Sequence, residues 1–180
     1  DFNSENLKGS IVRDKSNFFR INLYDSNINF NFSDSEEDNF VLPNLKFRVT
    51  AENISFNDAT FNSIDFYYLK NGDVLTLNDI NIDSDFLKIS NYGDEPAYFS
   101  VNTISDFYKI KGLYEFYDLK NSLKLQNFPP IDYLRSNINI QWNNLLELKN
   151  IEGSFDFLAK DFQINQNNPN SALLNLISLL

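Results

Sequence analysis

Four stretches of the sequence alternate apolar and polar residues with a period of two. In the clearest one, "LKFRVTA" (residues 45–51), Leu, Phe, Val and Ala alternate with Lys, Arg and Thr. Successive side chains of a β-strand point to opposite faces of the sheet, so this period gives one apolar and one polar face. The other stretches are residues 27–32, 137–142 and 154–157. Repeated short strands of this kind predict one mostly β, antiparallel unit over residues 1–180.

Turn-forming residues separate the predicted strands. Asn71-Gly72 lies between two strand-like runs in "YYLKNGDVLTL", and Asn-Gly tolerates the positive φ values of a tight hairpin. Residues 33–39 and 91–98 are rich in polar and turn-forming residues. We therefore predict a hairpin at residues 71–72 and polar loops at the other two segments.

Three segments predict short helices. Residues 103–116 place apolar side chains at roughly helical spacing after Ser105, a candidate N-cap. Residues 128–136 contain two consecutive prolines, which are tolerated in the first turn of a helix. Residues 170–180 form a Leu-rich run that begins with Asn-Ser. The sequence thus predicts a sheet with a few short helices.

The composition excludes several classes of function. The 180 residues include no His, Cys or Met, and the net charge is -10. An acidic chain lacks the clustered basic face of a nucleic-acid-binding protein, so no nucleic-acid partner is expected. Without His or Cys, Ser-His-Asp and Cys-His nucleophile systems and the usual zinc sites are excluded. We predict that the chain is not an enzyme and uses no cofactor or metal.

Two groups of carboxylates bear on this prediction. Residues 34–38 contain four acidic side chains, but not in the spaced order of an EF-hand calcium loop, which favours a solvated loop. Asp83 and Asp85 are two residues apart and would share one face of a strand, as a carboxylate pair for glycoside cleavage requires. Such pairs arise by chance in a chain with 25 acidic residues.

The apolar face of the predicted sheet must be covered or left open. An antiparallel sheet normally hides one face against a second sheet or a helix layer, and three short helices are few for this purpose. Either the sheet folds into a sandwich or barrel, or the face forms an open groove. The candidates, which line a groove or form a core, are Phe47, Val49, Ile138, Ile140, Trp142, Phe155 and Phe157.

The C-terminal quarter carries a family resemblance. Residues 140–142 are similar to a Leu-x-Trp-like step, residues 151–157 to a Leu-x-Gly strand, residues 159–164 to a strand after a "daGr"-like turn, and residues 173–179 to a Leu-rich helix start. In this order the elements resemble the C-terminal region of the AsmA-like family, YhdP-like branch. Residues 43–69 are similar to the strand units of the same family.

The resemblance implies a fold and a function. The fold would be a curved, open antiparallel sheet, a taco-like groove that crosses the periplasm of Gram-negative bacteria. Such proteins are anchored in the inner membrane by an N-terminal helix and are thought to carry phospholipid toward the outer membrane, in support of outer-membrane biogenesis. The implied partners are phospholipid acyl chains, both membranes and the rest of the same polypeptide. The alternative is a compact β-sandwich that acts as a binding or adhesion module.

The apolar run "SALLNLISLL" at the end of the sequence predicts a helix that caps a groove. It is shorter than the roughly 20 apolar residues that cross a bilayer, which disfavours a membrane anchor. Together with the resemblance, this run leads us to expect that the chain is a piece of a longer envelope protein, truncated at both ends.

Overall fold

A computed structural model describes residues 2–3, 6–15, 18–28, 44–56, 59–118, 132–144 and 150–160. Those residues form eleven β-strands that belong to one sheet. The strands are β1 (Phe2–Asn3), β2 (Lys8–Arg13), β3 (Phe19–Ile28), β4 (Lys46–Phe56), β5 (Ala59–Asn71), β6 (Val74–Ser84), β7 (Leu87–Ser90), β8 (Tyr98–Asn102), β9 (Phe107–Tyr117), β10 (Tyr133–Asn143) and β11 (Glu152–Lys160).

The strands follow one another across the sheet almost in chain order. Neighbouring strands pair antiparallel, except that β3 and β4 pair parallel. Strands β7 and β8 share one position, because each pairs with β6 on one side and β9 on the other. The prediction of a mostly β, antiparallel sheet is confirmed except at the parallel pair β3–β4, which local alternation does not reveal.

The predicted hairpin joins β5 to β6. Its turn residues are Gly72 and Asp73, one position later than predicted, because Asn71 pairs with Val74. Gly72 has a φ of 58°, which a residue without a Cβ adopts at little steric cost. The Asp73 carbonyl accepts a hydrogen bond from the Thr103 N–H at 2.9 Å, which ties this turn to the end of β8.

The predicted loop at residues 91–98 is confirmed up to the start of β8. It leaves the sheet between β7 and β8, and its ends are joined by a hydrogen bond from the Ala97 N–H to the Asn91 carboxamide at 3.0 Å. Ala97 is fully buried against Gly112 of β9, where an added Cβ would lie 2.9 Å from the Ala97 Cβ. A glycine at this position therefore lets the loop return onto the sheet.

The helix predicted over residues 103–116 is wrong. Residues 103–106 form a turn whose Ile104 and Ser105 N–H groups both donate to the Asn102 side chain at 3.0 Å, so Ser105 does not cap a helix. The rest of the segment is β9, which pairs along its length with β10 and with β7 and β8. Pairing on both sides satisfies the backbone, and the aromatic residues of this segment suit a pleated surface.

The register of the strands places apolar side chains on one face of the sheet, which we call the apolar face. Directly paired residues share a face, so the face can be followed from β2 to β11 through the pairing. Its members include Ile11, Phe19, Leu23, Phe47, Val49, Phe66, Tyr68, Leu77, Ile89, Phe99, Tyr108, Ile110, Tyr114, Phe116, Ile138, Ile140, Trp142, Phe155 and Phe157.

The opposite face carries ion pairs between neighbouring strands. Arg48 of β4 donates from Nε to the Asp65 carboxylate of β5 at 2.8 Å, and its guanidinium lies 4.8 Å from the ring centroid of Tyr67. This ion pair raises the pKa of Arg48 further above its ordinary value. Lys111 of β9 pairs with Glu95 of the loop at 2.6 Å. Most apolar side chains therefore lie on one face, and the opposite face carries the ion pairs together with a few apolar side chains such as Val12, Leu69 and Leu158.

Several predictions fall on parts of the chain outside the described residues. These are the end of the stretch at residues 27–32, the acidic loop at residues 33–39, the start of the predicted helical turn at residues 128–131 and the C-terminal helix at residues 170–180. The family-like elements beyond residue 160 also lie there. Residues 133–136, which the same helical turn was predicted to include, belong to β10, so that part of the prediction is wrong.

Candidate apolar binding face

All seven candidate residues lie on the apolar face. On β10 and β11 they form one group, because Ile138 pairs directly with Phe155 and Ile140 lies opposite Gly153. Phe47 and Val49 are on β4, five strand steps from β10 in the sheet order. With neighbouring strands about 4.8 Å apart, the two groups are separated by roughly 24 Å along the sheet. The candidates therefore belong to an extended surface and not to one pocket.

Burial separates the candidates into two kinds. Ile138 and Ile140 are only 7% and 6% exposed, and they form a cluster with Tyr114 of β9. Leu87, Ile89, Ile110, Phe116 and Trp142 pack against this cluster. Ile138 and Ile140 thus help to pack β7, β9 and β10 against one another. The other five candidates are more accessible to solvent.

Phe155 and Phe157 are the most accessible candidates. They are 39% and 47% exposed, and their rings are stacked with centroids 6.2 Å apart. Two neighbouring rings on the same face leave a continuous apolar patch at the β11 end of the sheet. A ligand that contacts this patch would remove it from water, which is favourable by about 25 cal/mol per Å² of apolar surface buried.

Stacked aromatic pairs continue the face toward the centre and the other end. Phe47 stacks on Tyr68 with centroids 4.4 Å apart and an interplanar angle of 8°. Trp142 stacks on Tyr108 at 5.3 Å and 17°. Stacking fixes the ring planes, so these side chains present flat apolar surfaces with little loss of rotamer freedom on contact. The indole N–H of Trp142 is buried and has no hydrogen-bond partner among the described residues.

The sequence interpretation missed seven aromatic members of the face, Phe19, Phe66, Tyr68, Phe99, Tyr108, Tyr114 and Phe116. Three of them lie in β9, the segment predicted as a helix. Their spacing of two, with Lys109, Lys111 and Glu115 between them, was the signal that would have found them. Burial raises the pKa of Tyr114, which keeps its hydroxyl protonated within the apolar cluster.

The two carboxylates considered for catalysis have different surroundings. Asp83 is at the end of β6 and its carboxylate lies 3.1 Å from the Lys88 ammonium, whereas Asp85 is exposed in the turn after β6. Within the described ranges, no group of three or more His, Cys, Asp or Glu residues is placed to hold a metal ion. No helix in the described part of the chain is both long enough and apolar enough to cross a membrane.

A tyrosine on the polar face provides a prediction about pH. The Tyr133 hydroxyl of β10 donates a hydrogen bond to the Glu115 carboxylate of β9, and this bond raises the Tyr133 pKa to about 12. In the unfolded chain tyrosine ionises near its ordinary pKa of about 10. Between these values the unfolded state binds fewer protons, so stability falls as pH rises. The hydrogen bond's contribution is complete below pH of about 10 and lost near pH 12.

We expect the stability difference between wild type and Tyr133→Phe to shrink by about 0.5 kcal/mol from pH 9 to pH 11, because solvent screens this accessible pair and reduces its contribution. Urea unfolding at the two pH values, followed by Trp142 fluorescence, measures it. Glu115→Gln removes the charged acceptor and should reduce the pH dependence in the same way. A wild-type advantage that stays constant between the two pH values would contradict the role of this hydrogen bond.

Comparison of the chain with protein families, with curated proteins and with solved structures finds no match.

Proposed function

We propose that the chain is a segment of a cell-envelope lipid-transport protein whose apolar face shields phospholipid acyl chains as they cross the periplasm. The protein would be anchored in the inner membrane through another part of the polypeptide. The segment binds and guides lipid and performs no turnover chemistry. The resemblance to the AsmA-like family, YhdP-like branch, suggested this role, and the geometry of the sheet supports it.

The observation that carries the proposal is the continuity of the apolar face. It runs in register from β2 to β11, and all described strands lie in one sheet. Most described ring–ring contacts join residues of the same strand or of adjacent strands, as in the Phe47–Tyr68 and Tyr108–Trp142 pairs. Such lateral packing orders the rings without needing a second layer of aromatic side chains above them.

The energetics show why such a face would be useful. Exposing one acyl methylene to water costs about 0.8 kcal/mol, so a phospholipid with two chains meets a barrier of roughly 20 kcal/mol or more in an aqueous gap. A continuous apolar surface lowers this barrier at each step along its length. The polar face, with its ion pairs, stays in water while the lipid moves along the other side.

We expect a phospholipid with a photoreactive group on its acyl chain to crosslink to the apolar face. Mass spectrometry of the purified chain should find crosslinks at Phe155 and Phe157, and few at Ser154 and Asp156 between them. Successive residues of one strand occupy opposite faces of the sheet, so this pattern shows which face the acyl chain contacts. Crosslinks spread equally over the four residues, or no crosslinks and no co-purified phospholipid, would favour the compact β-sandwich binding module.

A pair of double variants gives a matched control. Phe155→Asn with Phe157→Asn removes the exposed patch of the apolar face, and we expect at least a tenfold loss of crosslinking. Val12→Asn with Leu158→Asn changes two half-exposed apolar side chains of the opposite face. It should leave crosslinking within about twofold of wild type. Equal losses in the two double variants would refute a role specific to the apolar face.

A further inference from the structure

The turn between β5 and β6 contains the one Asn-Gly pair of the sequence, Asn71-Gly72. An asparagine is chemically least stable before glycine, because glycine has no Cβ to shield its backbone nitrogen from the preceding side-chain amide. Both residues are exposed, and a Cβ added to Gly72 would meet no atom within 4 Å. Water and hydroxide can therefore reach the two groups that react.

The pairing of β4 with β5 holds a second asparagine beside this turn. Beyond the last residue pair of that ladder, the Lys70 N–H donates a hydrogen bond to the Leu45 carbonyl at 2.9 Å. One residue earlier in the chain, the Asn44 Oδ1 accepts a hydrogen bond from the Gly72 N–H at 3.0 Å. Asn44 and Gly72 are 28 residues apart in the sequence, so only the pairing of the strands brings them together.

This hydrogen bond occupies the backbone N–H that deamidation requires. The Gly72 nitrogen must lose its proton and approach the Cγ of Asn71. While the N–H donates to Asn44, its protonated form is favoured, because an amide anion would face the Asn44 oxygen without a proton to donate. The pairing of Asn71 with Val74 also restricts the rotation of the Asn71 backbone that ring closure needs.

We propose that Asn71 is a site of spontaneous deamidation and that Asn44 sets its rate by holding the Gly72 N–H. Hydroxide removes the Gly72 amide proton, and the nitrogen attacks the Asn71 Cγ. The bond from Cγ to the side-chain nitrogen breaks, and that nitrogen leaves as ammonia with a proton from water. The resulting five-membered succinimide is opened by water at either carbonyl, which yields aspartate or isoaspartate.

The reaction would change the charge and the length of this turn. Either product adds a negative charge beside Asp73, and isoaspartate also brings its Cβ into the main chain. The Asp73 carbonyl accepts hydrogen bonds from the Thr103 N–H at 2.9 Å and the Thr103 hydroxyl at 3.1 Å, so a longer turn would disturb the link to the end of β8. This inference does not depend on the proposed lipid-binding function.

The test follows deamidation of the full chain during prolonged incubation in mildly alkaline buffer. Peptide mass spectrometry measures the mass gain at Asn71, and an isoaspartate-specific methyltransferase assay identifies the product. We expect Asn44→Ala to deamidate at Asn71 about fivefold faster than wild type, which is the rate equivalent of one hydrogen bond of ordinary net strength. The rate should rise with pH, because the attacking nitrogen must be deprotonated.

Two variants separate this hydrogen bond from a general loosening of the sheet. Asn44→Asp keeps an oxygen acceptor for the Gly72 N–H, so its rate should stay within about twofold of wild type. Asn91→Ala removes a similar side-chain acceptor, that of the Ala97 N–H, from another loop. It should also stay within about twofold of the wild-type rate, since the Asn71 turn keeps its contacts. In concentrated urea all four chains should deamidate at one faster rate.

Three results would overturn the proposal. Equal rates in wild type and Asn44→Ala, or an Asn44→Asp rate as high as that of Asn44→Ala, would exclude control by the hydrogen bond. An equal acceleration in Asn91→Ala would exclude it too, because the effect would then follow the stability of the whole sheet. Absence of deamidation at Asn71 in urea would exclude the site itself.

Discussion

Replacement of Gly153 by alanine should destabilise the chain by about 4 kcal/mol. Gly153 is the second residue of β11. Its φ is 128°, a value that residues with a side chain rarely adopt. A Cβ there would lie 2.1 Å from the Asn139 carbonyl oxygen and 2.9 Å from the Ile140 Cα. Both are backbone atoms of β10, so neither can turn away as a flexible side chain would. Relief of the clash requires β11 to move away from β10, with loss of its ladder.

Gly93→Ala is the matched control for this prediction. Gly93 also has a positive φ, 60°, but an added Cβ there meets no atom within 4 Å. It therefore measures the backbone cost alone, about 1 kcal/mol. Chemical denaturation followed by Trp142 fluorescence compares the two, and hydrogen exchange of the β11 amides locates the damage. A loss for Gly153→Ala within about 1 kcal/mol of the control would show that the two strands separate without cost.

Replacement of Ile138 by alanine should destabilise the chain by about 3 kcal/mol. Ile138 is 7% exposed and packs in the cluster with Tyr114 and Ile140. Truncation removes buried apolar atoms and leaves a cavity that strands paired on both sides of β10 cannot readily fill. Equilibrium unfolding in urea, with the midpoint and slope fitted separately, gives the change in the free energy of unfolding.

Ile11→Ala is the same substitution at the accessible end of the same face. Ile11 lies on β2 and is 56% exposed, so we expect a change within about 0.5 kcal/mol. The difference between the two losses in free energy of unfolding shows whether the apolar face is packed as a core near β10 and exposed as a surface at β2. Comparable losses at both positions would contradict this gradient of burial.

Burial differs along the apolar face, so its buried residues stabilise the sheet and its exposed residues are available for contact with a ligand. Ile138 and Ile140 are withdrawn into the cluster on β9 and β10, whereas Phe155 and Phe157 on β11 stay accessible. A ligand on the face would therefore touch the rings at its ends and the stacked pairs between them, without opening the cluster. Variants at the accessible rings therefore test the proposed lipid binding with little expected effect on the stability of the sheet.

Local sequence determined several of the strands and the two faces of the sheet. The alternation of Phe47 and Val49 with Arg48, and of Ile138 and Ile140 with Asn139, fixes which side chains share a face, since the period of a strand leaves no other arrangement. The absence of His and Cys likewise excludes catalytic sites that depend on an imidazole or a thiolate, because composition alone decides which side chains are present. These properties do not depend on which strands pair.

Tertiary structure decided which strands meet. Residues 107–117 have an ambiguous local pattern and became β9 because partners on both sides satisfy their backbone. The parallel pairing of β3 with β4 depends on partners 28 residues apart, as in Phe19 with Phe47. Arg13, Phe19 and Asn71 lie at one end of the sheet only because the ends of β2, β3 and β5 coincide there. Hydrogen-bond ladders join distant segments, and no local pattern of side chains records the identity of the partner.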